Sequence, residues 1–85
     1  MLTEIDAKRQ ERAFVLINVR PDSLEKVSTK LHAIKNIVIA DVVYGPYDII
    51  AVIVCEDKKE ISEIVLRKIR GINGVVETLT CIKAE

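Results

Sequence analysis

The chain has no net charge to offer a polyanion: 13 basic residues balance 13 acidic ones among 85. A nucleic-acid binder would be expected to carry a basic patch. Cysteine is scarce, with Cys55 and Cys81 only, and a secreted domain this small would more often be stapled by several disulfides. The first twelve residues, MLTEIDAKRQER, have no apolar core segment, so they do not read as a signal peptide. No run approaches the roughly 20 apolar residues of a membrane span. The expected compartment is the cytoplasm. His32 is the only histidine, and its spacing puts it on the exposed side of a helix. There is no glycine-rich phosphate loop, no Cys/His metal spacing and no nucleophile motif. Catalytic residues, metal ligands and a cofactor are therefore all expected to be absent.

What is present is apolar. Hydrophobic residues make up 49% of the chain, a large share for one small domain. A chain this short buries about 60% of its unfolded surface, so a lone monomer is expected to be only marginally stable. Residues 1–12 read as a polar tail or a short solvated helix, and 13–83 as the folded domain. Ala13 to Val19 (AFVLINV) is a buried strand. Arg20-Pro21-Asp22 breaks it. Asp22 and Glu25 have the spacing of a capping box. The helix that follows aligns Leu24, Val27, Leu31 and Ile34, and Asn36 suits the left-handed position that ends many helices. Ile37–Cys55 reads as a hairpin, IVIADVVY and YDIIAVIVC, joined by almost no turn at Gly45-Pro46. Asp57 and Glu60 repeat the capping-box spacing. Ile61, Ile64, Val65, Ile69 and Ile72 form a second apolar stripe, punctuated by Gly71 and Gly74. Val75 to Lys83 is the last strand.

The order β-α-β, twice, with the middle strands paired, predicts an α+β ferredoxin-like βαββαβ sandwich. Right-handed crossovers put both helices on one face of a four-stranded antiparallel sheet, in spatial order 4-1-3-2. Cys55 and Cys81 would then lie on strands that are not neighbours and that run in opposite directions, beyond disulfide reach. The strands do not alternate apolar and polar as a sheet with one wet face should. Val15, Ile17 and Val19 oppose Phe14 and Leu16; Ile49, Ala51 and Ile53 oppose Ile50, Val52 and Val54. Helices can cover only one face. The other is a large apolar patch, expected to close sheet to sheet against a second copy.

Two groups of residues are candidates for ligand contact. Gly45, Tyr47 and Asp48 lie at the hairpin junction, where glycine and Pro46 fix the backbone. A plain turn, with Asp48 bonding nearby amides, explains the same residues. Thr78 and Thr80 share one face of the last strand, expected to be the face of Asn18. Threonine is also an ordinary strand residue, but polar groups on an interface need partners. Asp41, inside an apolar strand, is expected on an outer strand that reaches water.

The runs AFVLINVRP, GPYDIIAVI and INGVVETLT resemble the effector-binding domain of the Lrp/AsnC family, the module of regulation of amino acid metabolism. The resemblance covers about residues 13–83. Its most specific parts are Gly-x-Tyr-Asp at 45–48 and Gly-Val-x-x-Thr-x-Thr at 74–80. It implies the same fold, sheet-face dimers, rings of dimers such as octamers, and small effectors, usually amino acids, held between dimers. By position Gly45, Tyr47 and Asp48 match the family's effector loop, and Thr78 and Thr80 its C-terminal strand motif. Full-length family regulators also carry a DNA-reading helix-turn-helix. Twelve residues cannot form one, so the expectation is a stand-alone amino-acid-binding module that is not an enzyme, does not bind DNA directly, and acts through assembly with a full-length relative. The rival readings are an ACT-like regulatory domain, with amino-acid sites at different loops, and a small dimeric α+β barrel enzyme, which would need a polar titratable pocket between sheet and helices.

Overall fold

The computed structural model describes residues 10–84. β1 (Glu11–Val19) leads through a 3-10 turn (Pro21–Ser23) into α1 (Leu24–His32). β2 (Ile37–Val42) and β3 (Ile49–Cys55) follow. α2 (Lys58–Glu63) continues directly as a π-helical segment (Ile64–Ile69), and β4 (Val75–Ile82) ends the order. The sheet runs β2-β3-β1-β4 with every neighbouring pair antiparallel. This is the ferredoxin-like arrangement and strand order that the sequence predicts. β1 starts at Glu11, inside the span read as a tail; the reading of residues 1–9 lies outside the described residues.

The helical stripes pack as their spacing requires. Val27 and Leu31 of α1, and Ile61, Ile64, Val65 and Ile69 of the second helix, are buried against the sheet, with Leu24, Ile34 and Ile72 packed at the margin. The start of α1 differs from expectation. Proline's fixed φ opens a tight turn at Pro21, so Asp22 sits inside that turn rather than ahead of the helix, and no side chain caps either segment. Asp22 instead accepts from Ser23 Oγ at 3.2 Å. The exit differs too. Asn36 does not adopt a positive φ; it is bonded to β3, its Nδ2 donating to Val54 O at 3.1 Å and its own carbonyl accepting from Val54 N at 2.9 Å. The second cap does form: Asp57 Oδ1 accepts from Glu60 N at 2.8 Å. Glu60 returns to the N–H of Glu56, one residue ahead of the cap. The helix then widens, and Arg70 N donates to Val65 O, five residues back.

The sheet's two faces separate cleanly. Ala13, Val15 and Ile17 of β1 and Ile49, Ala51 and Ile53 of β3 lie under the helices with no exposure. Phe14, Leu16, Ile50, Val52, Val54, Ile39 and Leu79 form the opposite face, and no element of the described chain covers it. Asp41 is exposed on outer strand β2, as expected. One expectation about direction fails: β3 and β4 are both antiparallel to β1 and therefore run parallel to each other. β1 still separates them by two strand spacings, about 10 Å, and their partners on β1, Glu11 and Phe14, are offset along the strand, so Cys55 and Cys81 lie beyond disulfide reach. Both cysteines are free, Cys55 buried and Cys81 exposed.

Candidate functional site

The connection between β2 and β3 is longer than the near-absent turn expected. Strand pairing stops at Val42 and resumes at Ile49, leaving residues 43–48 as a loop. Tyr44 and Tyr47 therefore belong to the loop and not to the strands. Gly45 has φ +153°, a region that L side chains rarely adopt, and a Cβ there would meet nothing within 4 Å; the backbone alone demands glycine. Tyr44 is fully exposed and Tyr47 half-buried.

Asp48 holds the loop to the sheet through three groups. Its carbonyl accepts from Val43 N at 2.9 Å, closing the loop, and its N–H donates to Ile17 O at 2.9 Å. Its carboxylate Oδ2 accepts from Val19 N, also at 2.9 Å. Val19 lies where the β1–β4 register shifts, so its N–H takes a side-chain acceptor at the strand's end. Oδ1 receives no hydrogen bond from the described residues.

The α2–β4 connection arrives at the same end of the sheet. Gly74 has φ +111°, and a Cβ there would lie 2.5 Å from Ser23 Cβ. Its carbonyl accepts from Arg20 N at 2.9 Å. Glycine is required twice over, by backbone and by space. From the sequence Gly74 reads only as punctuation, because the close approach of Ser23 is a tertiary fact.

Thr78 and Thr80 share a face, as expected, but not with Asn18. Thr78 pairs with Ile17 and Thr80 with Val15, on the helix-covered side. Asn18 pairs with Glu77 on the open side, and its Nδ2 donates to Glu77 Oε1 at 3.4 Å. Both threonines are half-buried along the outer edge of β4. Thr78 lines a cleft of about 310 Å³ with Arg70 and Glu77. Thr80 lines another of about 240 Å³ with Ser62, Val65 and Leu66. Neither cleft includes Gly45, Tyr47 or Asp48. The hairpin loop and Thr78 flank β1 at the same point, since Asp48 N donates to Ile17 O and Thr78 is the register partner of Ile17. A third groove, of about 480 Å³, runs between α1 and the end of β2, lined by Leu24, Glu25, Thr29 and Val42. The sequence gives no signal of it, since Asp22 and Glu25 read there as helix caps.

His32 stays on the exposed side of α1, its Nδ1 2.8 Å from Ser28 O. Burial pushes the Cys55 thiol above its ordinary value, and the carboxylate of Glu60 adds to the shift. Its Sγ donates to Asp57 O at 3.2 Å. Among the described residues no three His, Cys, Asp or Glu side chains converge as metal ligands, and no helix is long and apolar enough to cross a membrane.

Comparison with known proteins places this geometry. Residues 12–84 match the family model of the Lrp/AsnC ligand binding domain. An uncharacterised helix-turn-helix-type transcriptional regulator of Pyrococcus furiosus is 33% identical over 73 residues, 82% of this chain and 49% of that protein. The chain thus spans about half the length of this relative. The crystal structure of TTHA0845 from Thermus thermophilus superposes with a TM-score of 0.85 at 27% identity, covering 88% of this chain and 94% of that one. A Neisseria meningitidis transcriptional regulator, solved in complex with L-Met, shares the fold with a TM-score of 0.87 at 16% identity, covering 100% of this chain and 56% of that one. The chain belongs to the Lrp/AsnC family, and residues 12–84 form an Lrp/AsnC ligand binding domain.

Proposed function

We propose that this domain binds a small amino acid effector at a boundary between subunits of a homo-oligomer, and regulates transcription through a DNA-binding relative rather than by reading DNA itself. The observation that carries this reading is the anchorage of Asp48. Its N–H and Oδ2 fix the loop to β1 and its carbonyl closes the loop on Val43, while Oδ1 stays available for an effector's ammonium group. Charge-assisted hydrogen bonds of that kind commonly contribute about 1.5–3 kcal/mol. Gly45 and Tyr47 shape the loop around it. Thr78 and Thr80 line clefts at the exposed edge of β4, where a neighbouring subunit can complete the site. The open sheet face supplies the first interface, and rings of dimers such as octamers supply the second. The L-Met complex of the Neisseria relative makes L-methionine the first probe to try. The role is binding, not catalysis, and a chain whose 13 basic residues are balanced by 13 acidic ones offers no net positive charge to phosphates.

Calorimetry with the standard amino acids tests the reading. At least one should bind the folded protein and raise its melting temperature, since a ligand at a hundredfold excess over Kd adds about 2.7 kcal/mol. Asp48→Asn keeps an acceptor for Val19 N–H but removes the charge. Affinity should fall about ten- to a hundredfold with the free protein's melting temperature nearly unchanged. Unchanged affinity in the folded variant, or a response to none of the amino acids, would overturn it.

A further inference from the structure

An α-amino acid carries an anion as well as a cation, and Asp48 answers only the cation. The carboxylate needs donors, and the outer edge of β4 supplies them. β4 pairs with β1 on one side, and no described strand lies beyond it. Lys83 N donates to Arg12 O at 2.8 Å, so Lys83 turns its N–H toward β1, and Cys81, Leu79 and Glu77 do the same at every second position. The N–H groups of Thr78 and Thr80 therefore turn to the free edge, because successive peptide groups of a strand alternate in direction.

At that edge Thr78 lines the cleft of about 310 Å³ with Arg70 and Glu77. The backbone fixes where Arg70 starts. Its N–H donates to Val65 O at 2.9 Å, and the next residue, Gly71, packs so closely that a Cβ there would lie 3.1 Å from Arg67 O. Its side chain is exposed, and among the described residues it forms no ion pair. Nearby arginines are committed elsewhere. Arg20 donates from Nη2 to Asn73 Oδ1 at 3.0 Å and lies 3.9 Å from Asp22. Arg67 shares its own cleft with Glu60 and Glu63. Glu77, the other charged residue beside Arg70, turns to the open face, where its Oε1 accepts from Asn18 Nδ2 at 3.4 Å. The β4 cleft thus brings together a guanidinium, a hydroxyl and a free N–H. It is level with the Asp48 anchorage, since Thr78 is the register partner of Ile17 and Ile17 O accepts from Asp48 N.

We propose that Arg70 is the residue that recognises the effector's carboxylate, receiving it with Thr78 at the outer edge of β4 and so restricting effectors to free acids over their amides. This rests on the amino-acid reading above and deepens it. A guanidinium presents two parallel N–H groups that match both oxygens of a carboxylate. An amide offers one oxygen and no charge.

Thermal-shift titration of the full chain tests it with two probes, an equimolar mixture of the standard amino acids and the mixture of their α-amides. Wild type should bind the acids more tightly. Arg70→Gln keeps the backbone N–H and an exposed polar side chain, so the free protein's melting temperature should hold. Its apparent affinity for the acids should fall about ten- to a hundredfold, to the level of the amides, whose own binding should not change. Arg70→Lys keeps the charge without the fork and should recover part of the loss. Arg70→Ala, at the same exposed helix end, gives the same comparison if glutamine is not tolerated there. A folded Arg70→Gln or Arg70→Ala protein that distinguishes acids from amides as wild type does would overturn the assignment. Equal binding of acids and amides by wild type would overturn carboxylate recognition while leaving the amino-group contact at Asp48 standing. A wild-type protein that responds to neither mixture would remove the amino-acid reading, and this proposal with it.

Discussion

The two faces of the sheet are built from the same residue types and meet opposite fates. On one, Val15, Ile17, Ile49 and Ile53 are wholly buried under the helices. On the other, Val52 at the centre is 8% exposed, but Phe14 remains 39% exposed, Leu79 47% and Ile39 48%. A face destined for water would alternate in sequence with the core face. This one does not, and a soluble monomer rarely tolerates so large an apolar patch. The covered face holds the domain together; the open face is the surface through which we propose that it assembles.

Truncating each face separates the roles most sharply. Ile17→Ala opens a cavity in a fully buried position and should cost about 2–5 kcal/mol in urea unfolding. Leu79→Ala should change unfolding of the dissociated chain far less, and Leu79→Asp should leave the circular dichroism spectrum intact while weakening self-association. Equal losses of stability from Ile17→Ala and Leu79→Ala at low protein concentration would erase the distinction. Next in size is Gly74, which sits beside the covered face. Gly74→Ala meets a positive φ and a Cβ contact 2.5 Å from Ser23, so a loss of about 2–3 kcal/mol is expected. A loss below half a kilocalorie would show that Ser23 moves aside. The smallest effect uses the two thiols. Cys55 belongs to the core and its thiol is raised by burial, so less of it is thiolate at neutral pH and its alkylation should track unfolding. Cys81 lies on the open face and should react quickly in dilute protein, then severalfold more slowly as concentration rises and copies associate. A concentration-independent Cys81 rate would count against coverage of that face.

Much of this was readable in advance, and the failures have one cause. The elements follow from apolar runs and stripes that agree with their turns, and Asp57 caps its helix as its spacing predicts. The face of Thr78 and Thr80 was misread because faces depend on register. Thr78 pairs with Ile17 rather than Asn18, and a slip of one residue inverts every side chain of a strand. In strands apolar on both sides, no alternation exists to fix that register. The capping reading of Asp22 failed because Pro21 begins its own turn. At the hairpin, Gly45, Tyr47 and Asp48 were identifiable as a constrained loop. The bond from Val19 to Asp48 was not, since it joins residues 29 apart in sequence.

Sedimentation equilibrium of the wild-type protein tests the central claim most directly. If the open face is an interface between copies, a dimer or a larger even-numbered assembly should dominate at micromolar concentration, and Leu79→Asp should shift it toward monomer. A wild-type chain that remains a folded monomer at that concentration would contradict the account.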